Sequence, residues 1–163
     1  DAKILAIYEG TTAIQANDLV GRKTLRDGGQ LAHSIAQQMQ QTASRLQVHG
    51  APQAQAIASS LTSAAQALAQ SVEFMVQHAK SAPNTAYAGS VPYLLLAGNA
   101  VAGWQMAESW IAADALGAED QAFAKAKKIT TAFYAQHLLP RCAAAADSIC
   151  NGAESVMAYS NTD

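Results

Sequence analysis

Along most of this chain apolar residues return every three or four positions, and no segment alternates apolar and polar for long enough to build a sheet. That pattern predicts an all-α fold, an antiparallel helical bundle of about four to six helices. The cleanest period lies in residues 52–80, where Ile57, Leu61, Ala64, Leu68, Val72, Met75 and Ala79 form a seam for neighbouring helices. Residues 30–48 carry Leu31, Ile35, Met39 and Leu46 with Ala32, Ala36 and Ala43 beside them, and leave Gln37, Gln38, Gln40 and Gln41 for the wet face. Residues 91–116 are apolar nearly all round, which predicts the central and most buried helix. A membrane span needs about 20 predominantly apolar residues, and Asn99, Gln105, Glu108 and Asp114 interrupt this one. A fifth helix is expected from about 119 to 139, presenting Phe123, Ala126, Ile129 and Phe133, with a restart after Pro140 through residue 149.

Glycine and proline punctuate the pattern. Gly28-Gly29 marks a turn, Gly50-Ala51-Pro52 a stop and a new start, and Ser81-Ala82-Pro83-Asn84 a loop. Ahead of the first turn, residues 12–25 present Ala13, Ala16, Leu19 and Val20 on one side of a first helix. That helix follows an apolar run, Ile4-Leu5-Ala6-Ile7-Tyr8, which ends at a single carboxylate, Glu9, and a backbone break, Gly10. Thr12 with Gln15 three positions on reads as a capping box, each side chain reaching a backbone N–H that the helix start leaves unpaired. Such a junction holds an acid side chain at a bend.

Composition narrows the function classes. At 163 residues and 50% apolar the chain is long enough for one domain with a sizeable core. Its net charge of −2, with ten basic residues scattered along it, leaves no electrostatic footprint for nucleic acid. Cys142 and Cys150 share one alanine-rich helical stretch about 12 Å apart along its axis, too far for a disulfide, and read as reduced core residues of a cytoplasmic protein. His33, His49, His78 and His137 raise a di-iron possibility, but none has an acidic residue three positions before it, so no metal is expected. Gly21-Arg22-Lys23-Thr24 lacks the upstream glycine of a phosphate loop. Asp1 stands where an initiator Met would, and the chain is expected to be part of something longer.

The run Ile4-Leu5-Ala6-Ile7-Tyr8-Glu9-Gly10-Thr11-Thr12-Ala13-Ile14-Gln15 resembles the catalytic-base segment of flavin-dependent acyl-CoA dehydrogenases: an aliphatic run, Tyr-Glu-Gly-Thr, two variable residues and Ile-Gln. Asp18-Leu19-Val20-Gly21-Arg22-Lys23 is similar to the form carried by the longer members, which have an extra C-terminal helical domain. Tyr134-Ala135-Gln136-His137-Leu138-Leu139-Pro140 is similar, less specifically, to a stretch of that extra domain. The resemblance implies that residues 1–26 end the catalytic core and residues 27–163 form the C-terminal helical-bundle domain.

By the same resemblance, Glu9 is the base that removes the proton α to an acyl-CoA thioester, with its backbone N–H polarising the thioester oxygen. Gly10 lies against bound acyl-CoA, and Thr11 and Thr12 contact the adenosine part of FAD. At Ala13 several members carry a polar side chain instead. Gln15 is either a cofactor neighbour or only the partner in the capping box. The implied parent desaturates an acyl-CoA at the α,β position, passes electrons to an electron-transfer flavoprotein, and is a homo-oligomer. The fragment alone is expected to be inactive and colourless, because the remaining walls of the site belong to other sequence. A second reading, compatible with the first, is a helical interaction domain that serves packing and oligomerisation without catalysis of its own.

Overall fold

The computed structural model describes residues 11–159, and the regular elements among them are helical. They are α1 (Thr12–Asp18), α2 (Gln30–Val48), α3 (Pro52–His78), α4 (Pro83–Ala88), α5 (Ser90–Ala112), α6 (Gln121–His137), α7 (Arg141–Asn151) and α8 (Ala153–Tyr159). A π-helical segment, Leu19–Thr24, and a 3-10 turn, Leu25–Asp27, prolong α1. The expected all-α bundle is what the chain forms.

Local chemistry sets the boundaries. Gly28 and Gly29 take φ of 66° and 83°, values that cost a side chain strain, and so turn the chain between Asp27 and α2. The Asp27 carboxylate then accepts the N–H groups of Gly29 and Leu31, each at 3.0 Å, satisfying donors that the first turn of α2 leaves open. Pro52 and Pro83 open α3 and α4, where their missing N–H costs nothing. The loop expected at residues 81–84 is thus half a helix start.

The core is built around α3, against which α2, α5, α6 and α7 pack. Its seam is as the spacing predicts: Ile57, Leu61, Ala64, Leu68, Val72 and Met75 are buried, and Ala79 at the end is half-buried. Each such large side chain removed from water contributes about 1.5–3 kcal/mol. The glutamines of α2 are exposed as expected, but so is Leu31, which heads the predicted stripe.

Two expectations concern which faces are buried. The helix expected to be most buried, α5, is central in touching α1, α2, α3, α6 and α7 and exposes a smaller share of its residues than α3 does. Leu95 and Gln105 of α5 face water. Gly103 is covered by Leu139, which occupies the space a Cβ would need, whereas Gly98 faces open space. The expectation that needs correction concerns α6, whose stripe Phe123, Ala126, Ile129 and Phe133 points away from the core, while Ala124, Thr131, Ala132 and Ala135 point into it. No helix among the described residues is long and apolar enough to cross a membrane.

Candidate functional site

Glu9 and Gly10, the expected base and substrate contact, lie outside the described residues. What is visible is how the segment immediately after them is seated. Ala16 and Val20 are fully buried, and Val20 joins the same apolar core as α3 and α5. Thr24 is buried too, and its hydroxyl lies 2.9 Å from the phenol oxygen of Tyr93 on α5. Burial pushes the Tyr93 phenol above its ordinary pKa, and the bond to Thr24 offsets part of that shift. Arg22 and Asp18 pair at 3.0 Å on the outside of the widened turn. The segment is therefore pinned to the bundle by an apolar plug and a buried hydroxyl pair.

The expected cofactor contacts sit at the start of α1. Thr11 is exposed and forms the N-cap position, with no bond from its side chain to the cap. Its carbonyl accepts the Gln15 N–H at 2.9 Å. The helix thus begins one residue earlier than the capping-box reading supposes, with Thr12 as its first residue. Gln15 is then the fourth helical residue instead of the third, and its side chain is exposed. Thr12 is half-buried, while Ala13 and Ile14 are exposed, Ile14 to 65%. The outer face of this first turn, Thr11 to Gln15, is open on the side away from the bundle.

Beside the segment, Leu19, Lys23, Thr24, Leu31, Ile35 and Tyr93 line an apolar hollow of about 170 Å³. That is smaller than the roughly 300–1,000 Å³ of ordinary small-molecule pockets, so it offers no enclosure for a dinucleotide.

Two polar clusters lie elsewhere. In the first, Thr42 on α2 donates to a Glu108 carboxylate oxygen at 2.5 Å and accepts the Trp104 indole N–H at 2.8 Å, while Arg45 reaches both Glu108 oxygens at 2.9 and 3.0 Å. In the second, Asp114 accepts from Lys128 and lies 2.8 Å from His49. The Lys128 ammonium sits 4.6 Å over the Trp110 ring, and His49 meets that ring edge-on at 4.7 Å. The hydrogen bond from Lys128 is the main reason the Asp114 carboxyl titrates below its ordinary range; His49 adds to it. Both clusters tie the end of α2 to the end of α5. Their sequence signal was the pair of acids, Glu108 and Asp114, that interrupts an apolar helix, since acids beside a core are held by partners.

The remaining candidates stay apart. His78 bonds the Phe74 carbonyl at 2.8 Å, and His137 stacks on Phe133 at 4.5 Å. Among the described residues no group of three or more His, Cys, Asp or Glu could hold a metal ion. Cys142 is buried, its thiol donating to the Leu96 carbonyl at 3.8 Å, and burial pushes its pKa up to about 11. Cys150 is half-buried, and both thiols are free, as the spacing implies.

Comparison with known proteins supplies the lineage. Residues 35–160 match a family model described as "Acetyl-CoA dehydrogenase C-terminal like". The 3-methylmercaptopropionyl-CoA dehydrogenase of Ruegeria pomeroyi is 46% identical over 162 residues, which is 98% of this chain and 27% of that protein. A broad-specificity linear acyl-CoA dehydrogenase of Mycobacterium tuberculosis is 30% identical over 157 residues, 86% of this chain and 24% of that protein. No solved structure matches. The chain spans about a quarter of the length of the curated relatives it matches. With the family model covering most of the bundle and a 46% identical relative aligning over nearly the whole chain, this chain belongs to the acyl-CoA dehydrogenases as a C-terminal portion of them.

Proposed function

We propose that this chain is the C-terminal part of a flavin-dependent enzyme that desaturates an acyl-CoA thioester between its α and β carbons, and that Glu9 is the base. The observation that carries the reading is the run Tyr8-Glu9-Gly10-Thr11 through Gln15, standing directly before a family-defining bundle. Residues 1–26 then close the catalytic core, and residues 27–163 form the appended domain. The seating of Val20 and of the Thr24–Tyr93 pair is compatible with it, because it fixes the helix that follows the run to a packed core.

In this reading the Glu9 carboxylate takes the proton from the α carbon. Shielding it from water raises its basicity, as desolvation disfavours the charged form of any carboxylate. Its backbone N–H polarises the thioester oxygen, which acidifies that carbon, and Gly10 lets the acyl-CoA approach closely. FAD, when bound, accepts the hydride from the β carbon. Thr11, Thr12 and Gln15 are assigned to its adenosine end; the open outer face of the first turn, where Thr11 and Gln15 are exposed, leaves room for that contact. Electrons then pass to an electron-transfer flavoprotein. The protein works in the cytoplasm as a homo-oligomer.

The test is Glu9→Gln in the full-length, flavin-loaded parent. The turnover of an acyl-CoA should fall by on the order of 10²–10⁴, with the flavin spectrum and acyl-CoA affinity retained. Undiminished dehydrogenation would show that another group is the base.

A further inference from the structure

The turn that joins α1 to the bundle has a shape that its apolar contacts alone do not require. Ala16, Val20 and Thr24 follow one another at intervals of four and are all buried. A continuous α-helix would carry Thr24 about 80° round the axis from Ala16. Residues 19–24 form a wider turn instead, in which the Leu25 N–H reaches back five residues to the Val20 carbonyl. Such turns are rare inside helices and gather at functional sites. The widening brings Thr24 back toward the face of Ala16 and Val20, where its hydroxyl lies 2.9 Å from the phenol oxygen of Tyr93, itself 1% exposed. A second contact bears on the same turn: a Cβ on Gly21 would lie 2.5 Å from the Tyr87 phenol oxygen on α4, so a side chain there would displace the Tyr87 ring.

We propose that Tyr93, on the appended bundle, is a positioning residue for the reaction: its bond to Thr24 holds the wide turn, the wide turn fixes the rotation of α1, and α1 aims the chain that carries Glu9. Glu9 stands two residues before Thr11, the N-cap of α1. This role rests on the reading of Glu9 as the base. Tightening the turn by one residue would rotate α1 by about 100° and shift it about 1.5 Å along its axis. A misplacement of about 1 Å at a reacting group can cost 10²-fold in rate, so loss of the bond, with partial loss of alignment, should cost on the order of tenfold. Tyr93 touches neither substrate nor flavin in this scheme and acts through Thr24.

The test uses the full-length, flavin-loaded parent, mixed without oxygen or an electron acceptor with the saturated linear acyl-CoA, from butanoyl- to hexadecanoyl-CoA, that bleaches its flavin fastest. Tyr93→Phe keeps the ring and removes the hydroxyl. Thr24→Val removes the other partner at the same shape, and serves where the tyrosine variant fails to fold with flavin; Thr24→Ser restores the hydroxyl. Bleaching should slow about tenfold in Tyr93→Phe and in Thr24→Val. The rate difference between ordinary and α-deuterated acyl-CoA should grow in both, because proton removal becomes the slower step. Acyl-CoA affinity and the flavin spectrum should stay as in the parent, and Thr24→Ser should bleach close to the parent rate. A bond that serves stability alone would lower the melting temperature and leave bleaching by the folded, flavin-loaded protein unchanged. That result, or Thr24→Ser as slow as Thr24→Val, would overturn the proposal. Glu9→Gln run alongside separates the two readings. Parent-like bleaching in Glu9→Gln removes the base and the role of Tyr93 together, whereas slow Glu9→Gln beside parent-like Tyr93→Phe removes only the latter.

Discussion

α3 and α6 carry apolar repeats of similar regularity, and the bundle uses them in opposite ways. The seam of α3 faces inward against four helices, with Leu61, Val72 and Met75 entirely shielded from water. The row on α6 faces outward, and its inner face is made of Ala124, Thr131, Ala132 and Ala135. Small residues let α6 approach α5 closely enough for the Thr131 hydroxyl to reach the Met106 carbonyl at 3.0 Å. Bulky side chains at those positions would hold the helices apart. A repeat of three and four thus shows which residues share a face, and the sizes of the residues on the opposite face show which of the two can be packed.

The sharpest way to break that comparison is to truncate one side chain from each repeat. Leu61→Ala should cost about 2–5 kcal/mol, since a buried leucine loses its transfer energy and leaves a cavity. Phe133→Ser should cost about 0.5 kcal/mol, as surface changes do. Urea denaturation at a concentration where the chain is monomeric measures both. Equal losses would place the α6 row in the core after all.

A polar probe of the same contrast should have an intermediate effect. Thr42→Val keeps the volume but removes the donor to Glu108 and the acceptor for Trp104. A loss of about 1–3 kcal/mol is expected, the cost of polar groups left without partners at a helix contact. An unchanged urea midpoint would mean that water replaces both bonds freely.

The smallest effect is expected at Asp114, where α6 is tied to the ends of α2 and α5. Its folded pKa lies below the ordinary value of about 3.9, so its contribution is present above that pH and is lost as pH falls through the folded pKa. The carboxylate is 39% exposed, and solvent screening holds the contribution to at most about 1 kcal/mol. Asp114→Asn should therefore lower stability at neutral pH by at most about 1 kcal/mol and flatten the acid limb below about pH 4, where the two proteins converge. An identical acid limb in both proteins would show that the pair contributes nothing.

The candidate site was legible in a different measure from the fold. The bounds of α2, residues 30–48, follow from Gly29 before it and Gly50 after it, and the seam of α3 from its spacing alone. Helix starts at Pro52 and the outward glutamines of α2 needed no tertiary information. The first turn of α1 was less legible. Thr11 and Thr12 are both capable caps, so the choice between them is a matter of one residue that local sequence does not decide. The widening of residues 19–24 into a π turn was not legible either, because it reflects how Val20 and Thr24 are drawn onto α5 and its Tyr93.

By itself the sequence determined that this protein is all helix, where most helices start and stop, which side chains share a face, and to which enzymes its opening run is akin. Those properties rest on backbone chemistry and on spacing along one chain. Only the tertiary structure decided that four other helices pack on α3, that α6 turns its alanines inward and its phenylalanines outward, and that Glu108 and Asp114 hold α2 to α5. Each of these depends on how closely two helices far apart in sequence can approach, which is set by the volumes and hydrogen bonds of both partners at once.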